Sequence, residues 1–121
     1  MHEFSIARNI VKTLLSVAEE RSQEVIAATV AVGPMSMIVP ELLTYAYQAL
    51  TSGTPLSGSE LHIQQVPITA VCNECGAETE SYEPFVQCSE CGSLSLKIKS
   101  GYELQLVGAE LREVGEIIEE V

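Results

Sequence analysis

The chain has 121 residues, close to the usual size of one domain or of one domain with a small appendage, and 46% of them are hydrophobic, so a buried core can form. Aromatic residues make up 5% and Trp is absent, which predicts an aliphatic core. Seventeen acidic side chains against six basic ones give a formal net charge of −11, and such a surface repels phosphate backbones and counts against a nucleic-acid-binding protein.

Two segments have the pattern of amphipathic helices. In residues 4–21, Ile6, Ile10 and Leu14 recur at helical spacing, and charged residues take the other side. A second helix is predicted to begin at Pro40, because proline suits the first position of a helix. Its predicted apolar face consists of Leu42, Leu43, Ala46, Tyr47 and Leu50.

Three segments have the pattern of strands. Residues 25–32 are apolar and rich in β-branched side chains, which predicts a strand buried on at least one face. Residues 60–66 alternate between apolar and polar side chains up to Pro67. After Gly101 the alternation returns, with Tyr102, Leu104 and Leu106 on one face. The simplest architecture is therefore α+β, with two helices on a small three-stranded sheet.

The cysteine-containing stretch, residues 68–100, is predicted to be a small zinc-ribbon-like domain inserted between the last two strands of this body. Residues 1–67 and 101–121 would then form the α+β domain. Apolar side chains recur at near-helical spacing among the acidic residues of 111–121, at Leu111, Val114, Ile117, Ile118 and Val121. This tail is expected to pack back on the body, to pair with another subunit or to fray.

Two copies of Cys-x-x-Cys-Gly supply the strongest motif of the chain, with cysteines at Cys72, Cys75, Cys88 and Cys91. Two intervening residues let both sulfurs of a pair converge on one ion, and two such turns complete a tetrahedron of thiolates. Iron also takes four thiolates, but zinc is favoured. Four protein ligands leave no open position, so this zinc is predicted to be structural rather than catalytic.

The first three residues offer a second group of metal donors. Because His2 is bulky, the initiator methionine is expected to be retained, so the terminal amine belongs to Met1. This amine, the His2 amide and the His2 imidazole can chelate one ion in fused rings, with the Glu3 amide or carboxylate as a fourth donor. Nitrogen donors in a square suit Ni(II) or Cu(II). Taken alone, the pattern is equally typical of a solvated terminus.

Several motifs occur in order along the chain: the six residues Met-His-Glu-Phe-Ser-Ile at 1–6, Val32-Gly33, Val39-Pro40-Glu41 with Leu43, the doubled Cys-x-x-Cys, and Ser-Gly-Tyr-Glu-Leu at 100–104. In combination they resemble the HypA/HybF family, the nickel metallochaperones of NiFe-hydrogenase maturation, over about residues 1–110. Pro34-Met35 departs from the acidic or small residue plus apolar residue that the family commonly has.

The resemblance implies a binding and delivery protein without catalytic residues. It implies nickel at Met1, His2 and Glu3, and zinc at the four cysteines. The implied partners are the nickel-loading GTPase HypB and the hydrogenase large-subunit precursor, and in some bacteria the family also supplies urease. A homodimer, the enzyme that receives the nickel and the role of residues 111–121 are left open.

Two other function classes compete with this interpretation. A zinc-ribbon module for nucleic acids or proteins also uses two Cys-x-x-Cys turns, but the net charge counts against nucleic acid. An enzyme with a catalytic N-terminal metal is the second alternative. A zinc deaminase would require a His-x-Glu motif followed by Pro-Cys-x-x-Cys, and the sequence does not contain that arrangement.

The remaining histidine and two methionines are predicted to be outside any metal site. His62 alternates with Leu61 and Ile63, so it is expected to face solvent or the polar side of the sheet. Met35 and Met37 flank a proline-marked loop and are expected to be packing residues. The sequence has neither a signal-peptide pattern nor a bilayer-spanning apolar run, which predicts a cytoplasmic protein with no membrane partner.

Overall fold

The structure, a computed structural model, describes residues 2–113. Its helices are α1, Glu3–Arg21, and α2, Pro40–Thr51, with a 3₁₀ turn at Pro34–Ser36. Its strands are β1, Gln23–Val32; β2, Glu60–Gln65; β3, Ile68–Cys72; β4, Glu78–Ser81; β5, Leu96–Ser100; and β6, Leu104–Glu113. No helix within these described residues is long and apolar enough to cross a membrane.

The strands form two sheets of three. The first has the order β2-β1-β6, and the second has the order β4-β3-β5 with antiparallel pairs on both sides of β3. The prediction of two helices with a small three-stranded sheet and a separate cysteine module is confirmed. The second sheet was not predicted, because its strands have only four or five residues each and β4 has no apolar side chain.

The chain divides into two compact units. The first unit holds the chain up to Val30, Ile38–His62 and the chain from Leu106 onward; the second holds Ala31–Met37 and Ile63–Gln105. Both helices belong to the first unit and all four cysteines belong to the second. The predicted insertion of a domain at 68–100 stays a prediction.

The first unit is built around two helices packed on each other. The buried face of α1 consists of Ile6, Ala7, Ile10, Val11 and Leu14, and that of α2 includes Leu43, Ala46 and Tyr47. The ring of Tyr47 is fully buried, and its hydroxyl lies 2.7 Å from Ser59 Oγ. At the other end of the predicted apolar face, Leu42 is 51% exposed, so that face is narrower than predicted.

The end of α1 is set by the backbone of Ser22. This residue adopts the left-handed conformation, with φ of 51°, and its N–H bonds back to the carbonyl oxygens of Ala18 and Glu19. Such a cap satisfies carbonyls that have no partner in the last turn. The next residue, Gln23, already begins β1.

In the second unit, β3 leads directly to the first cysteine. Ile68 and Ala70 are buried, and Cys72 is the last residue of the strand. The hydroxyls of Thr69 and Ser100 lie 2.7 Å apart and link β3 to β5. Because β3 is the central strand, Cys72 is held by neighbours on both sides.

Three expectations require correction. Tyr102 was predicted to be on a strand face, but β6 begins at Leu104, and Tyr102 is 61% exposed after the turn at Gly101. Leu111 was assigned to the helical pattern of the tail, yet it lies in β6, because this strand runs as far as Glu113; residues 114–121 lie outside the described residues. Met37 was expected to pack, but it is 71% exposed, with φ of 61°.

Candidate metal centres

The four cysteine sulfurs lie together in the second unit. Cys72 Sγ is 3.6 Å from Cys91 Sγ, and Cys75 Sγ is 3.6 Å from Cys88 Sγ. All four are free thiols, and their sulfurs lie within 4.8 Å of one another. A tetrahedron with Zn–S distances near 2.3 Å has edges of about 3.8 Å, so this spacing fits one shared ion. Two disulfides would require S–S distances of about 2.05 Å.

Each pair of cysteines is built by the same local turn. The N–H of Gly76 donates to the Cys72 carbonyl oxygen at 3.0 Å, and the N–H of Gly92 donates to the Cys88 carbonyl oxygen at 3.0 Å. The two glycines have φ of 79° and 77°, a conformation that L side chains rarely adopt. The Gly of each Cys-x-x-Cys-Gly motif therefore closes the turn that brings its two sulfurs together.

Backbone N–H groups point at the two buried sulfurs. Cys72 Sγ accepts hydrogen bonds from the N–H groups two and three positions later, at 3.3 and 3.4 Å. Cys88 Sγ accepts the equivalent bonds at 3.4 and 3.5 Å. Because these bonds favour the thiolate, the N–H of Cys75 helps to lower the pKa of Cys72 to about 6, and the N–H of Cys91 lowers the pKa of Cys88.

The two exposed thiols are shifted in the opposite direction. The N–H of Ser93 lowers the pKa of Cys91, but the other three cysteine side chains and desolvation outweigh it and raise this pKa to about 12. The pKa of Cys75 is also raised, since Cys88 and desolvation outweigh the N–H of Ala77. Four thiolates therefore do not accumulate here without a compensating cation. A divalent metal supplies that charge, so the donor set fits a thiolate-bound ion.

Polar side chains next to the cysteines join the two turns. The N–H of Asn73 donates to the Ser95 carbonyl oxygen at 2.9 Å, and its side-chain amide donates to Ser95 Oγ at 3.0 Å. The N–H of Ser89 donates to Thr79 Oγ1 at 3.1 Å. These four residues were not predicted from the sequence, because their pairing depends on how β3, β4 and β5 align rather than on a local spacing.

At the N-terminus, His2 is the first residue that the structure describes, and Met1 lies outside the described residues. His2 is the N-cap residue of α1 with an extended backbone, and its Nε2 lies 3.3 Å from Ser5 Oγ. Glu3 is the first residue of α1. Its carboxylate accepts a hydrogen bond of 2.9 Å from the N–H of Val39, and this bond is the main cause that lowers the pKa of Glu3.

The contact between Glu3 and Val39 places the starts of the two helices side by side, because Val39 is the N-cap residue of α2. A carboxylate is favourable at this position, where the helix dipole is positive. From the sequence, Glu3 was predicted only as a metal donor, and this second role was not predicted. No local sequence pattern predicts a contact between two residues that are 36 positions apart.

His62 is exposed on β2, as predicted, and its Nε2 lies 3.4 Å from Glu60 Oε1. Within residues 2–113, the four cysteines form the only set of three or more His, Cys, Asp or Glu side chains close enough to share an ion. Neither His62 nor Glu3 belongs to such a set. The described His, Cys, Asp and Glu side chains alone therefore do not form a metal site at the N-terminus.

Residues 1–111 match the family model described as "Hydrogenase/urease nickel incorporation, metallochaperone, hypA". The chain belongs to the HypA family. This result places the chain among metallochaperones, which bind and carry metal ions, and it confirms the resemblance that the sequence motifs indicated. The match also ends at residue 111, so the last ten residues lie beyond the family model.

Individual HypA proteins are similar over nearly the whole chain. The hydrogenase maturation factor HypA of Desulfosudis oleivorans is 36% identical, with 93% of this chain and 100% of that protein covered. The HypA of Chloroflexus aggregans is 37% identical, with 91% and 98% covered. The solution structure of the Ni metallochaperone HypA from Helicobacter pylori has a TM-score of 0.61 at 19% identity, covering 93% of this chain and 99% of that chain, and it supports the fold.

Proposed function

We propose that this HypA-family chain binds one Ni(II) at its N-terminus and delivers it during the maturation of NiFe-hydrogenase. Nickel is the cargo, and its ligands would be the Met1 amine with His2 and Glu3. The observation that carries the proposal is the Met-His-Glu sequence at the start of α1 in a chain whose family is described by nickel incorporation. The first N–H groups of a helix have no intrahelical acceptor, so a metal can replace their protons without breaking the helix.

The donors at this terminus can form a square around nickel. The Met1 amine and the His2 amide nitrogen close a five-membered chelate ring, the His2 and Glu3 amide nitrogens close a second one, and His2 Nδ1 can take the remaining position opposite the His2 amide. His2 Nε2 lies near Ser5 Oγ, which leaves Nδ1 for the chelate. Since the Glu3 carboxylate accepts a hydrogen bond from the N–H of Val39, we take the Glu3 amide nitrogen as the fourth donor. Four nitrogen donors suit square-planar Ni(II).

The second metal in this proposal is a structural Zn(II) at Cys72, Cys75, Cys88 and Cys91. The spacing of the sulfurs and the N–H bonds to two of them support a closed tetrathiolate site. Such an ion supplies folding free energy to a small module and has no open position for a substrate. The protein would therefore act as a carrier and not as an enzyme.

The proposed partners are the GTPase HypB and the precursor of the hydrogenase large subunit. The net charge of −11 favours a partner that presents basic side chains. Charges at the rim of an interface mainly set the association rate, so binding to HypB should slow as salt rises. The same charge disfavours the alternative of a nucleic-acid-binding zinc ribbon. Urease is a second candidate recipient, because the family description names it beside hydrogenase.

The test compares the two histidines of the chain. Untagged wild-type protein, His2→Ala and the control His62→Ala are analysed for zinc and nickel before and after addition of Ni(II). We expect one zinc in all three proteins, and one nickel in the wild type and His62→Ala but none in His2→Ala. Cells that lack their own HypA should regain hydrogenase activity when they express the wild type or His62→Ala, but not when they express His2→Ala. Equal nickel binding by His2→Ala would contradict the N-terminal site, and restored hydrogenase activity with His2→Ala would contradict delivery from it.

A further inference from the structure

Helix α2 carries a second row of apolar side chains outside its buried face. Leu42, Tyr45 and Ala49 are spaced i, i+3 and i+7, so they lie on one side of the helix, and Val39 precedes them at the N-cap position. All four are exposed, Val39 by 43%, Leu42 by 51% and Tyr45 by 65%. Glu41 is the only charged residue of α2, whereas α1 has six. A helix with apolar side chains on this much of its surface is normally covered, so these four residues, here called the α2 stripe, are expected to form an interaction surface.

The α2 stripe begins beside His2. The N–H of Val39 donates to the Glu3 carboxylate at 2.9 Å, and His2, which directly precedes Glu3, is itself exposed. Phe4 follows and is 39% exposed, so the start of α1 adds aromatic surface. All of these residues belong to the first unit. A protein seated on the stripe would therefore have its own surface next to His2.

Charge and size argue against a second copy of this chain as the occupant. Glu41 is exposed and lies four positions before Tyr45, so it borders the stripe, and α2 has no basic residue to balance it. Two copies of a chain with a net charge of −11 would repel each other. Stable interfaces engage about 20–30 residues on each side, so this small stripe suits a transient contact. A partner with apolar side chains flanked by Arg or Lys matches it, since Arg can pair with Glu41 and stack on Tyr45.

We propose that the α2 stripe docks the protein that receives the nickel, and that this protein presents an apolar patch edged by basic side chains. The inference rests on the proposed function, in which the recipient is the precursor of the hydrogenase large subunit. Direct transfer requires the metal ligands of the recipient to reach the ion, and a partner held on Val39 and Leu42 is already beside His2. Docking is separate from metal binding, because none of the four side chains of the stripe is a nickel or zinc ligand.

The first test measures the dissociation constant of the complex between the zinc-loaded, untagged protein and the purified large-subunit precursor. We expect Leu42→Ser and Tyr45→Ser each to raise it about tenfold or more, because truncation of the central side chains of an interface costs a large part of the affinity. The matched controls, Leu94→Ser and Tyr82→Ser, remove exposed side chains of the same types from the second unit and should bind like the wild type. Equal weakening by the stripe variants and their controls, or no weakening by either stripe variant, would overturn the proposal, as would the absence of any complex.

Hydroxyl-radical footprinting read by mass spectrometry identifies what covers the stripe. In the protein alone, Tyr45 and Tyr82 should be oxidised at similar rates, since they are 65% and 59% exposed. The precursor should protect Tyr45 and leave Tyr82 reactive. Protection of Tyr45 in the protein alone would overturn the proposal, and would assign the stripe to a second copy in a dimer or to another part of the chain in a monomer. Protection by HypB but not by the precursor would overturn it in favour of the GTPase.

A comparison with His2→Ala separates this inference from the proposed function. Tyr45→Ser should bind one nickel and one zinc but transfer nickel to the precursor more slowly, in proportion to its weaker docking. His2→Ala should dock with the affinity of the wild type and carry no nickel. If the wild type itself bound no nickel but docked through Leu42 and Tyr45, only the proposed function would be contradicted. If Tyr45→Ser docked and transferred nickel like the wild type, only the docking surface would be contradicted.

Discussion

A Cβ atom at position 33 would overlap the backbone carbonyl oxygen of Gly101. Two backbone hydrogen bonds of 2.8 Å hold these segments together, from the N–H of Gly33 to Glu103 and from the N–H of Met35 to Gly101. Gly101 has φ of 123°, and a Cβ there would lie 2.7 Å from Ile68 Cγ1. The second unit therefore depends on two glycines for a close backbone approach, and one of them also needs a conformation that L side chains rarely adopt.

Gly33→Ala should destabilise the zinc-loaded protein. The added methyl group cannot avoid the backbone of Gly101, so the two segments must separate, and overpacking of this kind costs about 1–3 kcal/mol. Gly108→Ala is the control, since a Cβ at that exposed position of β6 meets no atom within 4 Å. Urea unfolding followed by circular dichroism measures both. Loss of stability of the same size in the two variants would contradict the importance of the contact.

Cys88→Ala should lose the metal and the order of the cysteine module while the helices stay folded. Cys88 is buried and supplies one of four sulfurs, so the variant would leave only three thiolate ligands and an incomplete site. The helical core of the first unit contains no cysteine, which is why far-ultraviolet circular dichroism should keep its helical signal. X-ray absorption of the wild type should report sulfur ligands alone.

Glu90→Ala serves as the control for Cys88→Ala. Its side chain is exposed, and the backbone N–H that donates to Cys88 Sγ remains. We therefore expect one zinc per chain in Glu90→Ala. Freshly purified wild-type protein that contained two disulfides and no metal would contradict the zinc site itself.

The cysteine cluster could be predicted from the sequence because its geometry is local. Each Cys-x-x-Cys-Gly closes its own turn with one backbone hydrogen bond and a positive φ at the glycine. The start of α2 was predicted for the same reason, since Pro40 is itself the first residue of the helix. In such cases the residues that form the structure lie next to each other in the chain.

The features that were missed depend on residues far apart in sequence. The length of β6 follows from its pairing with β1, whose first residue, Gln23, donates a hydrogen bond to Glu113. No pattern within residues 104–113 predicts that pairing. The bond from Val39 to Glu3 joins two helices in the same way. Met37 illustrates a different limit, because its left-handed backbone turns a large apolar side chain toward solvent, which composition alone does not predict.

Tyr47→Phe should remove part of the stability loss at alkaline pH. Desolvation raises the pKa of Tyr47 in the folded protein, although the hydrogen bond to Ser59 acts against it. The unfolded chain ionises Tyr near pH 10, so it loses this proton first, and stability falls as the pH rises above about 10. Tyr47→Phe lacks the hydroxyl and therefore lacks this contribution to the pH dependence of stability. At neutral pH it should cost about 0.5–1.5 kcal/mol through the lost hydrogen bond.

Tyr45→Phe is the control for Tyr47→Phe, because Tyr45 lies on the same helix and is 65% exposed. Thermal unfolding midpoints of the wild type and the two variants, measured between pH 7 and 11, separate the effects. Above pH 10, the unfolding midpoint should fall less steeply with pH for Tyr47→Phe than for the wild type, and Tyr45→Phe should behave like the wild type. Identical slopes in all three proteins would exclude burial of this hydroxyl as a source of alkaline sensitivity.

Extension of the N-terminus by Gly-Ser should abolish nickel binding while every side chain of the protein remains. The extension converts the Met1 amine into an amide and moves the free amine two residues away, so the chelate rings with His2 cannot close. An α-amine has a reference pKa of about 7.7–8.0, and protons compete with the metal for it, so nickel affinity of the unextended protein should fall steeply toward pH 6. Zinc should stay bound in both proteins, since the two sites share no ligand.

Glu3→Gln distinguishes the two donors that Glu3 offers. If the backbone amide is the ligand, as proposed, the variant should bind nickel with little change, because the amide nitrogen is retained and the lost carboxylate is engaged with Val39. Loss of the charge at the start of α2 should instead appear as a small decrease in stability. Nickel titrations of untagged wild type, the Gly-Ser extension and Glu3→Gln decide both points. Equal affinity of the wild type and the extended protein would exclude the Met1 amine as a ligand, and a large loss in Glu3→Gln would assign the fourth position to the carboxylate.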